Sequence, residues 1–87
     1  MRIVVVYREQ SEHRAAVESF IRDYERRTGD ELEIIDPDSR SGANFCRIYD
    51  IVEYPTILAL GTDGSPYRVW RGAMLPTVDD VVAVSYS

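Results

Sequence analysis

The sequence predicts an α/β fold in which a four-stranded mixed sheet carries helices on both faces. Three features support this fold: a continuous β-branched run at Ile3–Val6, an amphipathic stripe from Ala16 to Tyr24, and an Asp63-Gly64 turn between two later strands. Hydrophobic residues make up 45% of the 87 residues, which suits one modest core. We therefore expect a single domain over residues 1–87.

The first half of the chain alternates strands with helices. Residues 3–6 suit a central strand buried on both faces. Ser11 is expected to cap a first helix, which stops at Gly29. Residues 32–35 read as the second strand. A short second helix is predicted by apolar residues at helical spacing, namely Phe45, Ile48, Tyr49 and Val52.

The second half ends in a hairpin and a third helix. Residues 57–60 and 67–71 are the third and fourth strands, and Pro66 indicates that the fourth lies at an edge of the sheet. Pro76 suits the first turn of the last helix. The predicted order is β-α-β-α-β-β-α, with parallel pairing in the first part and an antiparallel final pair.

Two segments, residues 49–60 and 63–73, resemble the second half of a thioredoxin-fold domain. In that family, an aromatic-Gly-Val segment leads to Ile-Pro-Thr and an apolar strand, and a Gly-Ala pair follows the last strand. Here Tyr49-Asp50-Ile51, Tyr54-Pro55-Thr56 and Gly72-Ala73 occupy these places. The resemblance implies the minimal, glutaredoxin-sized thioredoxin fold, with a cis peptide bond before Pro55.

The chain departs from this family at the redox motif, a Cys-x-x-Cys between the first strand and the first helix. Ser11-Glu12-His13-Arg14 stands there, or, with a glutaredoxin-like loop length, Glu12 and Ala15 stand at the cysteine positions. Neither alignment supplies the thiolate that thiol–disulfide exchange requires. We therefore expect no dithiol oxidoreductase activity and favour a protein that is not an enzyme.

The resemblance also implies a binding surface. In the family, the loop before the cis-proline and the loop before the first helix together bind extended peptides. The expected function is therefore a redox-inactive binding or regulatory module for a protein or an extended peptide, with Tyr54 either anchoring the ligand or covering the end of the core. The corresponding groove residues are Arg8, Glu9, Gln10, Ser11, Tyr54 and Pro55.

Two other functions remain open. Cys46, on the inner face of the second helix, is either a small buried hydrophobe or the site of a single-thiol redox or thiol-transfer protein. Alternatively, the chain is a structural subunit that oligomerises through the edge strand at Tyr67–Arg71 or through an apolar helix face. We expect a monomer or a weak homodimer.

Other chemistry is disfavoured by spacing. Ser11 and His13, two residues apart on the expected helix, do not face each other as a nucleophile and base would. Asp36, Asp38 and Asp50 lack the pattern of a calcium loop and suit solvated turns. No Cys/His cluster or glycine-rich phosphate loop is present, so we expect no metal and no cofactor.

Charge and hydropathy limit the partners and the location. A net charge of −5 and a pI of about 4.7 argue against nucleic acid or an anionic membrane surface as the partner. The four apolar residues near the N-terminus are too few for a signal peptide or a membrane span. Together with the lone cysteine, this composition favours a cytoplasmic location.

Overall fold

The computed structural model describes residues 1–86, and its element order is the predicted β-α-β-α-β-β-α. The elements are β1 (Arg2–Val6), α1 (Arg14–Thr28), β2 (Glu33–Ile35), α2 (Arg40–Ile48), β3 (Thr56–Leu60), β4 (Pro66–Arg71) and α3 (Val78–Ser85). In this part of the chain, no helix is long and apolar enough to cross a bilayer.

The four strands form one mixed sheet in the order β2-β1-β3-β4. β1 pairs in parallel with β2 and antiparallel with β3, and β3 pairs antiparallel with β4. The β-branched run lies at the centre, where Val4, Val5 and Val6 are fully buried. β4 is an edge strand that begins at Pro66, as the sequence predicts, because proline has no backbone N–H for a ladder.

Helices cover both faces of the sheet. Because successive residues of a strand point to opposite sides, the core is divided into two clusters, one on each face. On one face, Val5 and Ile57 pack in a cluster with residues of α1 and α3. On the other face, Val4 and Leu58 pack in a cluster with Cys46 of α2. This arrangement confirms the predicted sheet with helices on both of its faces.

The first helix begins later than predicted, and Ser11 is not its cap. The hydroxyl of Ser11 donates to the carbonyl of Arg8, while the Ser11 carbonyl accepts the Arg14 N–H at 3.3 Å. These bonds form a turn ahead of the helix. His13 therefore holds the N-cap position and makes no side-chain capping bond. The result is a longer loop between β1 and α1.

The second helix lies earlier in the chain than the predicted stripe. Ser39 caps it by accepting the Gly42 N–H at 2.9 Å, and Asp50, at φ 55°, turns the chain out of the helix. The helix therefore ends before Val52. Ile48 and Val52, two members of the predicted apolar stripe, are 66% and 76% exposed.

The third helix begins at Val78, after Pro76 rather than at it. Thr77 accepts the Asp80 N–H, and the Asp80 carboxylate accepts the Thr77 N–H. This capping box satisfies two free donors at the start of the helix. Pro76 therefore precedes the helix instead of forming its first turn.

Candidate functional site

Two loops meet where β1 ends and β3 begins, because Val6 pairs with Thr56 in the sheet. The guanidinium carbon of Arg8 lies 4.7 Å from the ring centroid of Tyr54, which is a cation–π distance. The loop before α1 and the loop before β3 are thus joined by side chains. We call the surface where residues 8–13 approach residues 53–55 the loop groove, after the groove that the family resemblance implies there.

Arg8 has a second partner that sequence reasoning missed. Its Nε donates to the carboxylate oxygens of Asp38 at 3.1 and 3.3 Å. Asp38 comes from the loop between β2 and α2 and was expected only as a solvated turn residue. Both side chains remain about half exposed, so the pair stabilises the fold little and mainly orients Arg8.

The backbone around Pro55 is fixed on both sides. The hydroxyl of Thr56 donates to the Glu53 carbonyl at 2.6 Å, and the Gly72 N–H donates to the Pro55 carbonyl at 2.9 Å. The Tyr54–Pro55 peptide bond is cis. The N–H and carbonyl of Tyr54 form no hydrogen bond with any residue from 1 to 86. Two hydrogen bonds thus hold residues 53–56 in place, and Tyr54 among them keeps one unpaired donor and one unpaired acceptor.

Residues 11–13 form the turn ahead of α1, and Arg14 is the first residue of the helix; one of the two alignments implied by the resemblance places the redox motif on residues 11–14. Ser11 donates to Arg8, and Arg14 bonds to Glu18 at 3.2 Å. The Nε2 of His13 is buried and has no hydrogen-bond partner in the described chain. The hydroxyl of Ser11 is thus committed to the backbone and makes no hydrogen bond with the imidazole.

The remaining residues of this loop are exposed. Glu9, Gln10 and Glu12 lie on the surface, and neither of the two glutamates forms an ion pair within residues 1–86. Their side chains are therefore available to a ligand approaching the loop groove.

Cys46 lies on the floor of the same region. It is 7% exposed, and Tyr54 packs against the cluster that contains it. Burial raises the pKa of the Cys46 thiol, while the Tyr54 hydroxyl and the charge of Arg8 act in the opposite direction. Burial, followed by the neighbouring Cys46, also raises the pKa of Tyr54. No sequence pattern connects these residues, because the contact depends on how the loop folds over α2.

The three aspartates considered as a cation site do not come together as one. The Asp36 carboxylate accepts the Asp38 N–H at 2.9 Å, and Asp38 pairs with Arg8. Asp50 follows the opposite end of α2. Within residues 1–86, no group of three or more His, Cys, Asp or Glu residues could hold a metal ion.

Solved structures with the same architecture exist at low sequence identity. The chain is similar to thioredoxin 1 from the thermophilic eubacterium Thermosipho africanus TCF52B, with a TM-score of 0.72 and 13% identity over 99% of this chain and 91% of that one. It is also similar to a malarial protein, with a TM-score of 0.71 and 11% identity over 97% of this chain and 91% of that one. No family model and no curated protein matches the sequence. The chain has a thioredoxin-like fold.

Proposed function

We propose that this thioredoxin-like chain is a redox-inactive binding or regulatory module. In this proposal, the loop groove takes an extended segment of a partner protein. We assign the predicted groove residues Arg8, Glu9, Gln10 and Ser11 to one side of this surface and Tyr54 to the other, while Pro55, predicted as a groove residue, is fully buried and only supports Tyr54 from below.

The observation that carries the proposal is the contact between Arg8 and Tyr54. It joins the two loops that bind extended peptides in thioredoxin-fold proteins. Within residues 1–86, only the Nε of the Arg8 guanidinium takes part in a hydrogen bond, so its two terminal nitrogens remain available to a ligand. Asp38 holds Arg8 in place, so part of the ordering cost of binding is already met.

The backbone of Tyr54 supplies the second support. An extended ligand gains affinity from main-chain hydrogen bonds to unpaired donors and acceptors. Tyr54 offers one of each, and its neighbours Glu53 and Pro55 already have intramolecular partners. The pattern suits main-chain pairing at one residue, with the Tyr54 ring as an anchor.

The groove lacks the chemistry of a dithiol enzyme. Its first-helix segment holds a hydroxyl, a carboxylate, an imidazole and a guanidinium, and the only cysteine is Cys46. A dithiol enzyme that reduces a substrate disulfide finishes with its own intramolecular disulfide, so it needs two thiols in one chain. Binding without reaction is therefore the proposed use of the surface.

The test is selection from a displayed library of random eight-residue peptides, followed by mapping of the selected peptides by amide chemical shifts. We expect shifts at residues 8–12 and 54, and loss of binding in Tyr54→Ala. Tyr67→Ala is the matched control, because Tyr67 is a 61% exposed tyrosine on β4. Equal binding by both variants would contradict the proposal.

A second candidate is a single-thiol redox or thiol-transfer function at Cys46. Its support is the position of the thiol beneath Tyr54 and Arg8, at the same groove. Its burial and raised pKa argue against an efficient nucleophile. Glutathione-dependent thiol transfer by the unmodified protein, lost in Cys46→Ser, would favour this candidate over the binding module.

A third candidate is a structural subunit that assembles through β4. The strand is an open edge, and Tyr67 on it is exposed. Arginine and proline on an edge strand usually discourage such pairing, however, and both occur here. Sedimentation equilibrium separates this subunit from a monomeric binder.

A further inference from the structure

We infer that the occupant of the loop groove is a basic extended segment, with lysine or arginine side chains on both sides of an apolar residue. The inference rests on the proposed function and adds the charge class of the ligand. It is carried by the charges that the two loops leave unpaired.

The cations next to the groove are already neutralised inside the chain. Arg8 pairs with Asp38 at 3.1 Å, and Arg14 pairs with Glu18 at 3.2 Å. Neither guanidinium therefore gives the groove a net positive charge. A ligand carboxylate at the terminal nitrogens of Arg8 would share that guanidinium with Asp38 and be repelled by its carboxylate.

The carboxylates of the two loops are not neutralised. Glu9, Glu12 and Glu53 are exposed, and within residues 1–86 none of them has a cation at salt-bridge distance. Glu53 immediately precedes Tyr54, and its Oε2 would lie 3.2 Å from a Cβ placed on Gly72. Arg71, which precedes Gly72 and lies opposite Thr56, has no salt-bridge partner within residues 1–86. Residues 8–13 and 53–55 therefore carry three carboxylates without an ion-pair partner among residues 1–86, and Arg71 can offset one of them.

Apolar surface accompanies these charges. The Tyr54 ring is half-buried, and Met74, two residues after Gly72, is 93% exposed. Methionine adapts its shape to different partners at a binding surface. Because side chains of an extended ligand alternate in direction, basic residues can face the glutamates while an apolar residue contacts Tyr54.

The experiment uses three labelled eight-residue peptides on the full chain, identical except that alternate positions carry lysine, glutamine or glutamate. We expect the lysine peptide to bind most tightly, and its affinity to fall as salt screens the exposed charges. Glu12→Gln and Glu53→Gln should each weaken it about two- to fivefold, the range for exposed ion pairs. Glu31→Gln is the control, since Glu31 is an exposed carboxylate in the distant loop between α1 and β2.

The possible outcomes distinguish failure of the basic-ligand inference from failure of the proposed binding function. Equal, Tyr54-dependent binding of all three peptides would overturn the basic ligand and leave the binding module intact. Preference for the glutamate peptide would also overturn it. If the solution mass doubled as protein concentration rose, and Glu53→Gln prevented that doubling, the occupant would be a second copy of the chain. That result would contradict the basic-ligand inference. Absence of Tyr54-dependent binding by any peptide would overturn both proposals.

Discussion

The side chain of Tyr54 packs against the buried cluster that contains Cys46, and its hydroxyl interacts with the Cys46 thiol. The proposed ligand anchor is therefore also the cover of the only cysteine in the sequence. Reactivity of the thiol should report whether Tyr54 is in place.

We predict that Tyr54→Ala speeds labelling of Cys46 by a thiol reagent in the native protein. Removing the ring opens a path to a thiol that is now 7% exposed. A rise of roughly tenfold would correspond to about 1.4 kcal/mol of lost local protection. Tyr54→Phe, which keeps the ring, and Tyr67→Ala should label at nearly the unmodified rate. Labelling of the unmodified protein at the rate of the denatured chain would contradict the prediction.

Alkaline pH should destabilise the protein. The pKa values of Cys46 and Tyr7 are raised, in both cases chiefly by burial. As pH rises past about 8.5 for a thiol and about 10 for a phenol, the unfolded chain releases these protons first, so the free energy of unfolding falls. The stability is fully present below those values. Urea unfolding at pH 7.5, 9 and 10.5 measures the loss.

Tyr7→Phe isolates the phenol's part of that loss. The variant gives up the 3.2 Å hydrogen bond from Tyr7 to Glu18, which should cost about 1 kcal/mol at pH 7.5. Its stability should then decline less steeply above pH 10 than that of the unmodified chain. Tyr67→Phe, at a 61% exposed site, should keep the original slope.

Asp50→Gly should stabilise the fold by about 0.5–1 kcal/mol. Asp50 has φ 55°, a left-handed conformation that glycine adopts without the steric cost of a Cβ. The thioredoxin-family pattern places glycine at this position. Asp50→Ala, which keeps a Cβ and loses the carboxylate, should give no such gain. Midpoints of urea denaturation for both variants decide the matter.

Gly42→Ala should destabilise the protein by about 1–3 kcal/mol. Gly42 is buried in α2, and a Cβ there would overlap the carbonyl oxygen of Asp36. The helix would have to move away from the loop that carries Asp38. Ser41→Ala, at the exposed neighbouring position, is the control and should change stability by less than about 0.5 kcal/mol.

The sequence predicts elements better than it predicts contacts, and particular residues show why. The run at Ile3–Val6 has only one good placement, the centre of a sheet, because no face of it tolerates water. The second helix was misplaced because Ile48 and Val52 fit a helical spacing, whereas the capping bond of Ser39 and the turn at Asp50 determine its ends. Local hydrogen bonds determine such boundaries, and hydrophobic periodicity does not report them.

The candidate site shows the same division. The family resemblance predicts that Arg8 and Tyr54 lie close together, because the fold determines that their two loops are neighbours. The pairing of Arg8 with Asp38 depends on the direction of one side chain in an exposed loop. No periodic pattern encodes that direction, so the partner had to be read from the structure.

The last prediction tests whether the segment at the start of α1 can form a disulfide once cysteines are introduced there. The unmodified protein should not reduce insulin disulfides above background, because residues 11–14 contain no thiol. In the double variant Ser11→Cys/Arg14→Cys, we expect a reversible intramolecular disulfide. The hydrogen bond from the Arg14 N–H to the Ser11 carbonyl closes a turn, which brings the two Cα atoms within about 7 Å. That separation approaches the range a disulfide can bridge.

The second alignment is tested by Glu12→Cys/Ala15→Cys, which should close less readily, because no hydrogen bond joins these two residues. Faster closure at positions 12 and 15, with the fold intact by circular dichroism, would assign the redox-motif position to that alignment instead.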